Sequence, residues 1–269
     1  MTMNRLSALV LGFALVTAGR LSAEVGYADG RFRCDRFVLT QDNSSLAPYR
    51  TAVTFGPGDA ALTIRFEAEA PGVGKLAAEK AGKGAWACAE NFELFLDVSG
   101  EGKSLLHLAV SANGDGWDER SPKAASKELD WTASARATAD AYEATAVIPW
   151  SALGLKGRPA VGTRWRMNIG RNFLNAAGAT VFSSFAATGV RYKNPAKFAD
   201  LYFGSPDEVA HARKEAVSRE LSSVRAELAA CGAEHVFSEK LAAFERTGRP
   251  ELVTEIRDEL AVIRALRTK

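Results

Sequence analysis

The fold class is indicated by Tyr142-Glu-Ala-Thr-Ala-Val-Ile-Pro-Trp-Ser-Ala-Leu-Gly154 and by Gly162-Thr-Arg-Trp-Arg-Met-Asn-Ile-Gly-Arg171. The first segment alternates small or apolar residues with polar ones, stops at a proline and turns at a glycine, which is typical of a strand that runs into a short corner. The second segment has the same period of two, with Trp165 and Ile169 on one face and Arg or Asn on the other. Two such strands joined by a fixed corner predict a β-sandwich.

Residues 1–23 are predicted to be a secretory signal peptide. Arg5 supplies the positive start, and residues 6–16 form an apolar run of about eleven residues. A spanning helix needs roughly twenty apolar residues, so a membrane anchor is not expected. Cleavage after Ala18 or Ala23 leaves a secreted or periplasmic protein with no membrane span.

The charge balance argues against nucleic acid as a partner. The chain has 34 Lys and Arg against 32 Asp and Glu, and two of the basic residues, Arg5 and Arg20, leave with the signal. The 32 basic residues that remain equal the acidic ones, and no block of Lys or Arg stands out. Because binding to nucleic acid depends on neutralising phosphates, none is expected.

Cys34, Cys88 and Cys231 are an odd number of cysteines for an oxidising compartment. A bridge between Cys34 and Cys88 would tie the amino-terminal segment to the sheet. The alternative is that all three are small, buried apolar residues. The sequence leaves both readings open.

Residues 24–204 have the pattern of one β domain, in which short alternating runs are broken by Gly, Pro, Asn and Asp. Nearly a dozen strands over this length suit a single sandwich with a proper core. The candidate strands are 50–55, 61–68, 91–98, 105–112, 133–138, 141–148, 164–171, 181–186 and 200–203.

Residues 205–269 have a helical pattern instead. Ser205-Pro206-Asp-Glu208 combines a capping hydroxyl, a first-turn proline and acidic residues, as a helix start does. Apolar residues then recur at helical spacing up to Cys231, a shorter helix is expected over 238–246, and a last helix begins at Pro250. We expect a helical hairpin or small bundle whose apolar stripe packs against itself, the sandwich or a protein partner.

Six motifs between residues 50 and 204 occur in the order and spacing of one family. They are Asp59-Ala-Ala-Leu-Thr-Ile-Arg-Phe66, Glu90-Asn-Phe-Glu-Leu-Phe-Leu-Asp97, Leu106-His-Leu-Ala-Val-Ser-Ala-Asn-Gly114, Glu143 with Ile148-Pro149 and Leu153-Gly154, Gly162 with Trp165, Asn168 and Arg171, and Phe198-Ala-Asp-Leu-Tyr-Phe203. On these motifs the region resembles family 9 carbohydrate-binding modules, which are part of the DOMON-like group of β-sandwiches. The usual opening motif is degraded to Ala28-Asp29-Gly30 and lacks its Trp.

The resemblance implies an antiparallel sandwich of the jelly-roll or DOMON-like kind that holds a sugar between two aromatic rings, with an acidic residue beside them. By position, Trp86 is the first ring, Glu93 is the acid, and Phe185 is the second ring, where the family usually has Trp. Flat rings suit sugars because they combine a large apolar area with rigidity. Alternatively, Trp86 folds over the sheet edge and Phe185 belongs to the core. Arg171 is expected either to reach the ligand or to pair with Glu93.

The segment Asn113-Gly-Asp-Gly-Trp-Asp118 is an acidic, glycine-rich loop. Asn113, Asp115 and Asp118 offer hard oxygen ligands, so a structural calcium ion is one interpretation and a plain turn is the other. Trp117 in the same loop is a further candidate for ligand binding.

Other ligand chemistries have less support. Some members of the DOMON-like group bind haem, which would need axial donors such as Met167 and His107. Met167, however, shares a face with Trp165 and Ile169, as a core methionine does. Catalytic motifs such as Gly-x-Ser-x-Gly or a phosphate loop are absent from the sequence, so no enzyme is expected.

The sequence therefore predicts an exported, non-catalytic protein that binds a saccharide or polysaccharide, with no cofactor other than the calcium ion considered above. One alternative is an extracytoplasmic interaction or scaffold domain with a decayed sugar site, which docks a protein partner through its helical tail. A haem-binding DOMON-type domain is the other alternative.

Overall fold

The computed structural model describes residues 25–102, 104–121 and 129–267. The signal peptide predicted for residues 1–23 lies outside the described residues. Within the described part of the chain, no helix combines the length and the apolar character that crossing a membrane requires.

The described residues form two facing β-sheets followed by helices. The strands are β1 Val25–Ala28, β2 Arg33–Cys34, β3 Val38–Leu39, β4 Thr51–Pro57, β5 Ala61–Glu69, β6 Asn91–Asp97, β7 Leu105–Ser111, β8 Gly116–Ser121, β9 Thr132–Ala137, β10 Ala141–Pro149, β11 Arg164–Leu174, β12 Thr180–Ser184 and β13 Ala199–Phe203. The helices are α1 Val73–Lys80, α2 Pro206–Ala230, α3 Ser238–Thr247 and α4 Pro250–Arg267.

The larger sheet has eight strands and the smaller has five. The larger runs β1-β13-β11-β6-β7-β8, with β12 paired to the second half of β11 and β3 paired to β12. The smaller runs β2-β4-β5-β10-β9. Apart from the parallel pair of β1 and β13, the strand pairings of the described residues are antiparallel. The predicted fold class, an antiparallel-rich sandwich followed by helices, is confirmed.

The corner predicted after β10 is present. The alternate residues of β10 from Tyr142 to Ile148 are buried against the larger sheet. The chain then turns through a short 3-10 segment, Trp150–Leu153, and Gly154 ends it with a φ of 77°, a left-handed conformation that glycine adopts at little cost. Trp150 donates from Nε1 to the carbonyl of Gly58 at 3.1 Å and packs edge-on against Trp165, which closes one end of the core.

The core lies between the inner faces of the two sheets. Phe66 of β5 stacks on Phe92 of β6 with ring centroids 4.6 Å apart. Cys34 and Cys88 are both buried in this core, and the structure does not bridge them to each other. Burial raises the pKa of the Cys88 thiol above its ordinary value.

All nine predicted strands are present, and four further strands were not predicted. Three of these, β1, β2 and β3, have four residues or fewer. The fourth, β8, covers Gly116–Ser121, a segment interpreted above as part of an acidic loop. Its residues are mostly polar and show no apolar alternation, as in a strand at the end of a sheet, and among the described strands β8 pairs with β7.

The helical tail begins with the capping arrangement that the sequence predicts. Ser205 accepts from the backbone N–H of Glu208 at 3.3 Å, and the Glu208 carboxylate accepts from the backbone N–H of Ser205 at 2.8 Å. The first turns of α2 lie against the sandwich, where Arg213 sits over the ring of Tyr202 at 5.2 Å from its centroid and Val209 is buried.

The rest of the tail has a hydrophobic core of its own. Ten buried residues of α2, α3, α4 and the α2–α3 connection form a cluster separate from the core of the sandwich, and they are Leu221, Val224, Leu228, Ala233, Phe237, Leu241, Phe244, Val253, Ile256 and Leu260. The apolar stripe of the tail therefore packs against itself, which is one of the three alternatives that the sequence left open.

Because the two cores are separate, a cavity in the tail should leave the sandwich intact. We expect Ile256→Ala to destabilise the helical unit by about 2–5 kcal/mol, since Ile256 is fully buried there. Hydrogen exchange should then accelerate in α3, α4 and the second half of α2 and stay unchanged in the strands. Val262→Ala on the same helix is the matched control, because its side chain is 60% exposed. Faster exchange throughout the sandwich would contradict separate cores.

Candidate functional site

The outer face of the larger sheet carries a line of three hydrogen-bonded polar side chains. Asn172 of β11 donates from Nδ2 to Glu93 Oε1 of β6 at 3.0 Å. His107 Nε2 of β7 lies 2.8 Å from the other carboxylate oxygen, Oε2. The line crosses three adjacent strands, and both oxygens of Glu93 hold a partner. We call Asn172, Glu93 and His107 the polar line.

Aromatic rings surround the His107 end of the polar line. The imidazole stacks on Phe95 with centroids 4.1 Å apart, and the edges of Trp117 and Trp86 meet it at 5.0 and 6.1 Å. The two indoles also contact each other, at 5.2 Å. Trp86 is 47% exposed, so a large part of its ring faces solvent.

The Asn172 end of the polar line meets a different exposed ring. Phe182 of β12 is the cross-strand partner of Asn172, and its side chain is 47% exposed. It packs edge-on against Tyr192, with centroids 6.3 Å apart. A cavity of about 580 Å³ lies along this part of the sheet, and its lining includes Glu93, His107, Phe182 and Tyr192. A volume of this size is in the usual range of small-molecule sites.

The loop of residues 188–194 forms one wall of this cavity, and Tyr192 anchors it. The Tyr192 hydroxyl lies 3.0 Å from the carbonyl oxygen of Arg171 and 2.9 Å from Asn172 Oδ1. Asn168 donates from Nδ2 to the carbonyl of Tyr192 at 3.1 Å. Burial raises the pKa of the Tyr192 hydroxyl well above its ordinary value. The loop is thus fixed before any ligand arrives.

Gly170 makes this anchoring possible. A Cβ placed on Gly170 would lie 2.4 Å from the ring of Tyr192, so the ring rests directly on the backbone of β11. Glycine is the residue that permits such a close approach.

The turn between β7 and β8 holds Trp86 in place. Asn113 donates from Nδ2 to the carbonyl of Lys80 at 2.8 Å, and Asp115 Oδ2 accepts from the backbone N–H of Gly84 at 2.8 Å. These bonds tie the turn to Lys80, the last residue of α1, and to Gly84, which directly precedes the 3-10 segment that contains Trp86. Asn113 and Asp115 therefore position an aromatic ring of the site.

Asp118, the third residue considered for calcium, has a different partner. It accepts from Trp131 Nε1 at 2.9 Å, and it follows Trp117 in β8, so the two side chains leave the strand on opposite faces. In the described part of the chain, no group of three or more His, Cys, Asp and Glu side chains is placed to hold a metal ion. The observed hydrogen bonds of the three side chains are those of a plain turn, and the calcium ion stays a prediction.

Three residues predicted to bind a ligand, Trp86, Glu93 and Trp117, lie together around His107 in the structure. The prediction for Phe185 needs correction. Its side chain is only 5% exposed and packs against Phe37 in the core. Phe185 is therefore not a wall of the site.

Arg171 also needs correction, because its side chain points into the sandwich. It donates to Thr51 Oγ1 at 2.6 Å and to the carbonyl of Glu69, and it lies 3.4 Å from Glu90 Oε2. Its acidic partner is thus Glu90 and not Glu93. Burial raises the pKa of the Glu90 carboxyl above its ordinary value. The backbone N–H of Leu174 and the guanidinium of Arg171 partly offset this rise.

The donors considered for haem do not meet. Met167 is fully buried among core residues on the inner face of β11, whereas His107 lies on the outer face of β7 beside Glu93. One iron cannot reach both side chains through the sheet, so the haem alternative has no axial pair here.

Sequence reasoning missed Phe182, Tyr192, Gly170 and Asn172, and it considered His107 for haem alone. Period-two alternation on β6 and β7 offered one signal, because it places Glu93 and His107 on outward positions of their strands. The pairing of β11 with β12, which brings Phe182 beside Asn172, has no such signal.

Comparison with known proteins gives structural similarity only. No family model matches this chain, and no curated protein sequence matches it. Among solved structures, the chain is similar to a family 9 carbohydrate-binding module from Caldicellulosiruptor kristjanssonii in complex with cellotriose, with a TM-score of 0.46 and 16% identity over 68% of this chain and 96% of that chain. For a family 9 module from the same organism in complex with glucose, the TM-score is 0.47 and the sequence identity is 18%, over 68% of this chain and 96% of that chain. For a proposed carbohydrate-binding protein from Bacteroides uniformis, the TM-score is 0.49 and the sequence identity is 14%, over 64% of this chain and 86% of that chain.

A side chain at position 170 should disturb the wall of the cavity. We expect Gly170→Ala to cost about 1–3 kcal/mol, because the methyl group has to displace the ring of Tyr192. Urea denaturation measures this cost, and Gly157→Ala is the matched control, since a Cβ there meets nothing within 4 Å. Equal stability of the two variants would show that the ring does not rest on β11.

Removing the cation from the buried pair should destabilise the sandwich more strongly. We expect Arg171→Leu to cost about 3–5 kcal/mol in the free energy of unfolding, because it leaves the Glu90 carboxylate buried without its cation. Adding Glu90→Gln should restore part of that loss, since the amide keeps an acceptor for Leu174 and carries no charge. Urea denaturation of both variants decides this, and a double variant no more stable than Arg171→Leu would rule out the pair.

Proposed function

We propose that this protein binds a saccharide, without catalysis, on the outer face of its larger sheet. The observation that carries the proposal is the polar line of Asn172, Glu93 and His107. Glu93 and His107 line a cavity, and exposed rings lie at both ends of the line. A sugar presents apolar C–H faces and a rim of hydroxyls, and this surface offers partners for both.

The rings supply the apolar part of the contact. Trp86 and Phe182 are each about half exposed although they are among the largest apolar side chains, and aromatic faces stack on flat apolar surfaces with little loss of conformational freedom. Trp117 supports Trp86 from the side. An exposed ring whose position is fixed by neighbouring contacts is suited to binding.

The polar line supplies the hydrogen bonds. A carboxylate has about four lone-pair positions, and Glu93 uses two of them for Asn172 and His107, so acceptor capacity remains for sugar hydroxyls. The two existing bonds orient the carboxylate in advance. Prior orientation reduces the entropy cost of binding.

The proposal includes export and omits a protein partner. Export rests on the signal sequence predicted for residues 1–23 and suits a protein that meets extracellular glycans. Docking of a partner through the helical tail has less support, because the apolar stripe of the tail packs within its own core.

Binding to a glycan array, followed by calorimetry on each hit, tests the proposal. We expect Trp86→Ala to weaken binding at least about tenfold, on the order of 1.4 kcal/mol, because it removes an exposed stacking surface. Val236→Ala is the control, since this similarly exposed apolar side chain belongs to the helical tail. Absence of binding to every glycan would contradict the proposed function.

A further inference from the structure

The exposed rings of the site lie at opposite ends of the polar line. Trp117, which supports Trp86, belongs to β8, whereas Phe182 belongs to β12. The strand order between them is β8-β7-β6-β11-β12, so four strand-to-strand steps separate Trp117 from Phe182.

The length of the site follows from this order. Neighbouring strands lie about 4.8 Å apart, so four steps span on the order of 19 Å across the sheet. The register adds an offset along the strands, because Trp117 pairs with Ala109, which pairs with Glu93, whereas Phe182 pairs with Asn172. A single pyranose ring is much shorter than this distance and cannot contact both ends.

One cavity extends across the strands between the two ends, because its lining includes Glu119 of β8, His107 of β7, Glu93 of β6 and Phe182 of β12. Glu93 and His107 line this cavity and offer hydrogen-bonding groups over β6 and β7, and Asn172 orients Glu93 from β11. Over β11 the ring of Tyr192 lies on Gly170 and forms the cavity lining at that step. The anchored loop of residues 188–194 borders this path on one side.

We propose that the site binds a segment of a saccharide chain that lies across the strands, with one sugar ring on Phe182 and another against Trp86. This inference rests on the proposed function and adds the length of the ligand to it. Phe182 is then the residue that makes affinity depend on chain length, and it takes the role that the sequence predicted for Phe185.

The test is calorimetric titration with a length series. The probe is the glycan that binds in the array, titrated from its monosaccharide to its hexasaccharide, for example from glucose to cellohexaose for a β-1,4-glucan. We expect affinity to rise at least tenfold from the monosaccharide to the tetrasaccharide and then to level off, because the longer chain reaches both rings.

Two variants separate the ends of the site. Phe182→Ala and Trp86→Ala should each lower affinity for the tetrasaccharide at least tenfold and flatten the dependence on length, whereas Val236→Ala should leave the series unchanged. Phe182→Leu keeps an apolar contact with Tyr192 and lacks the flat ring, so it should behave like Phe182→Ala if stacking is the cause.

The outcomes distinguish this inference from the proposed function. Equal affinity for the monosaccharide and the hexasaccharide, or full hexasaccharide affinity in Phe182→Ala, would overturn the inference while saccharide binding stands. No binding by any member of the array would end both.

Discussion

The candidate site depends on the alternation of side chains along β6, β7 and β11. The inner residues of β6, such as Leu94, are fully buried in the core, and the next residue outward on the same strand is Glu93. Because core packing fixes the register of the three strands, it also fixes the polar line on their outer face. A slip of one residue would exchange the core and the site, so the same packing energy stabilises both.

The walls of the site are held by contacts with the backbone of neighbouring segments. Tyr192 lies directly on Gly170, and this contact fixes a loop whose neighbouring residues are exposed. On the other side, Asn113 and Asp115 bind the backbone of the connection that carries Trp86. Residues that resemble calcium ligands in the sequence thus act as hydrogen-bonding braces. A site built in this way needs little rearrangement when a ligand arrives.

A buried charge between the two sheets imposes a different constraint on the fold. Arg171 is completely buried, and its guanidinium is held by Thr51, by backbone carbonyls and by Glu90. A buried charge is tolerated only with such partners, because desolvation otherwise costs more than the remaining contacts return. The arrangement links β11 to the opposite sheet and to the strand that carries Glu93. Arg171 therefore supports the site through the fold, without touching the cavity.

The sequence by itself determined the sandwich, nine of its strands and the helical tail, and it pointed to three residues of the candidate site, Trp86, Glu93 and Trp117. Alternation and helical spacing are local patterns, and a short stretch of chain carries them completely. Only the tertiary structure decided which phenylalanine is exposed. Phe182 and Phe185 are three residues apart, so alternation places them on opposite faces, but the pairing of β12 with β11 determines which face is outward. That pairing joins residues of separate segments, and a local pattern cannot specify it.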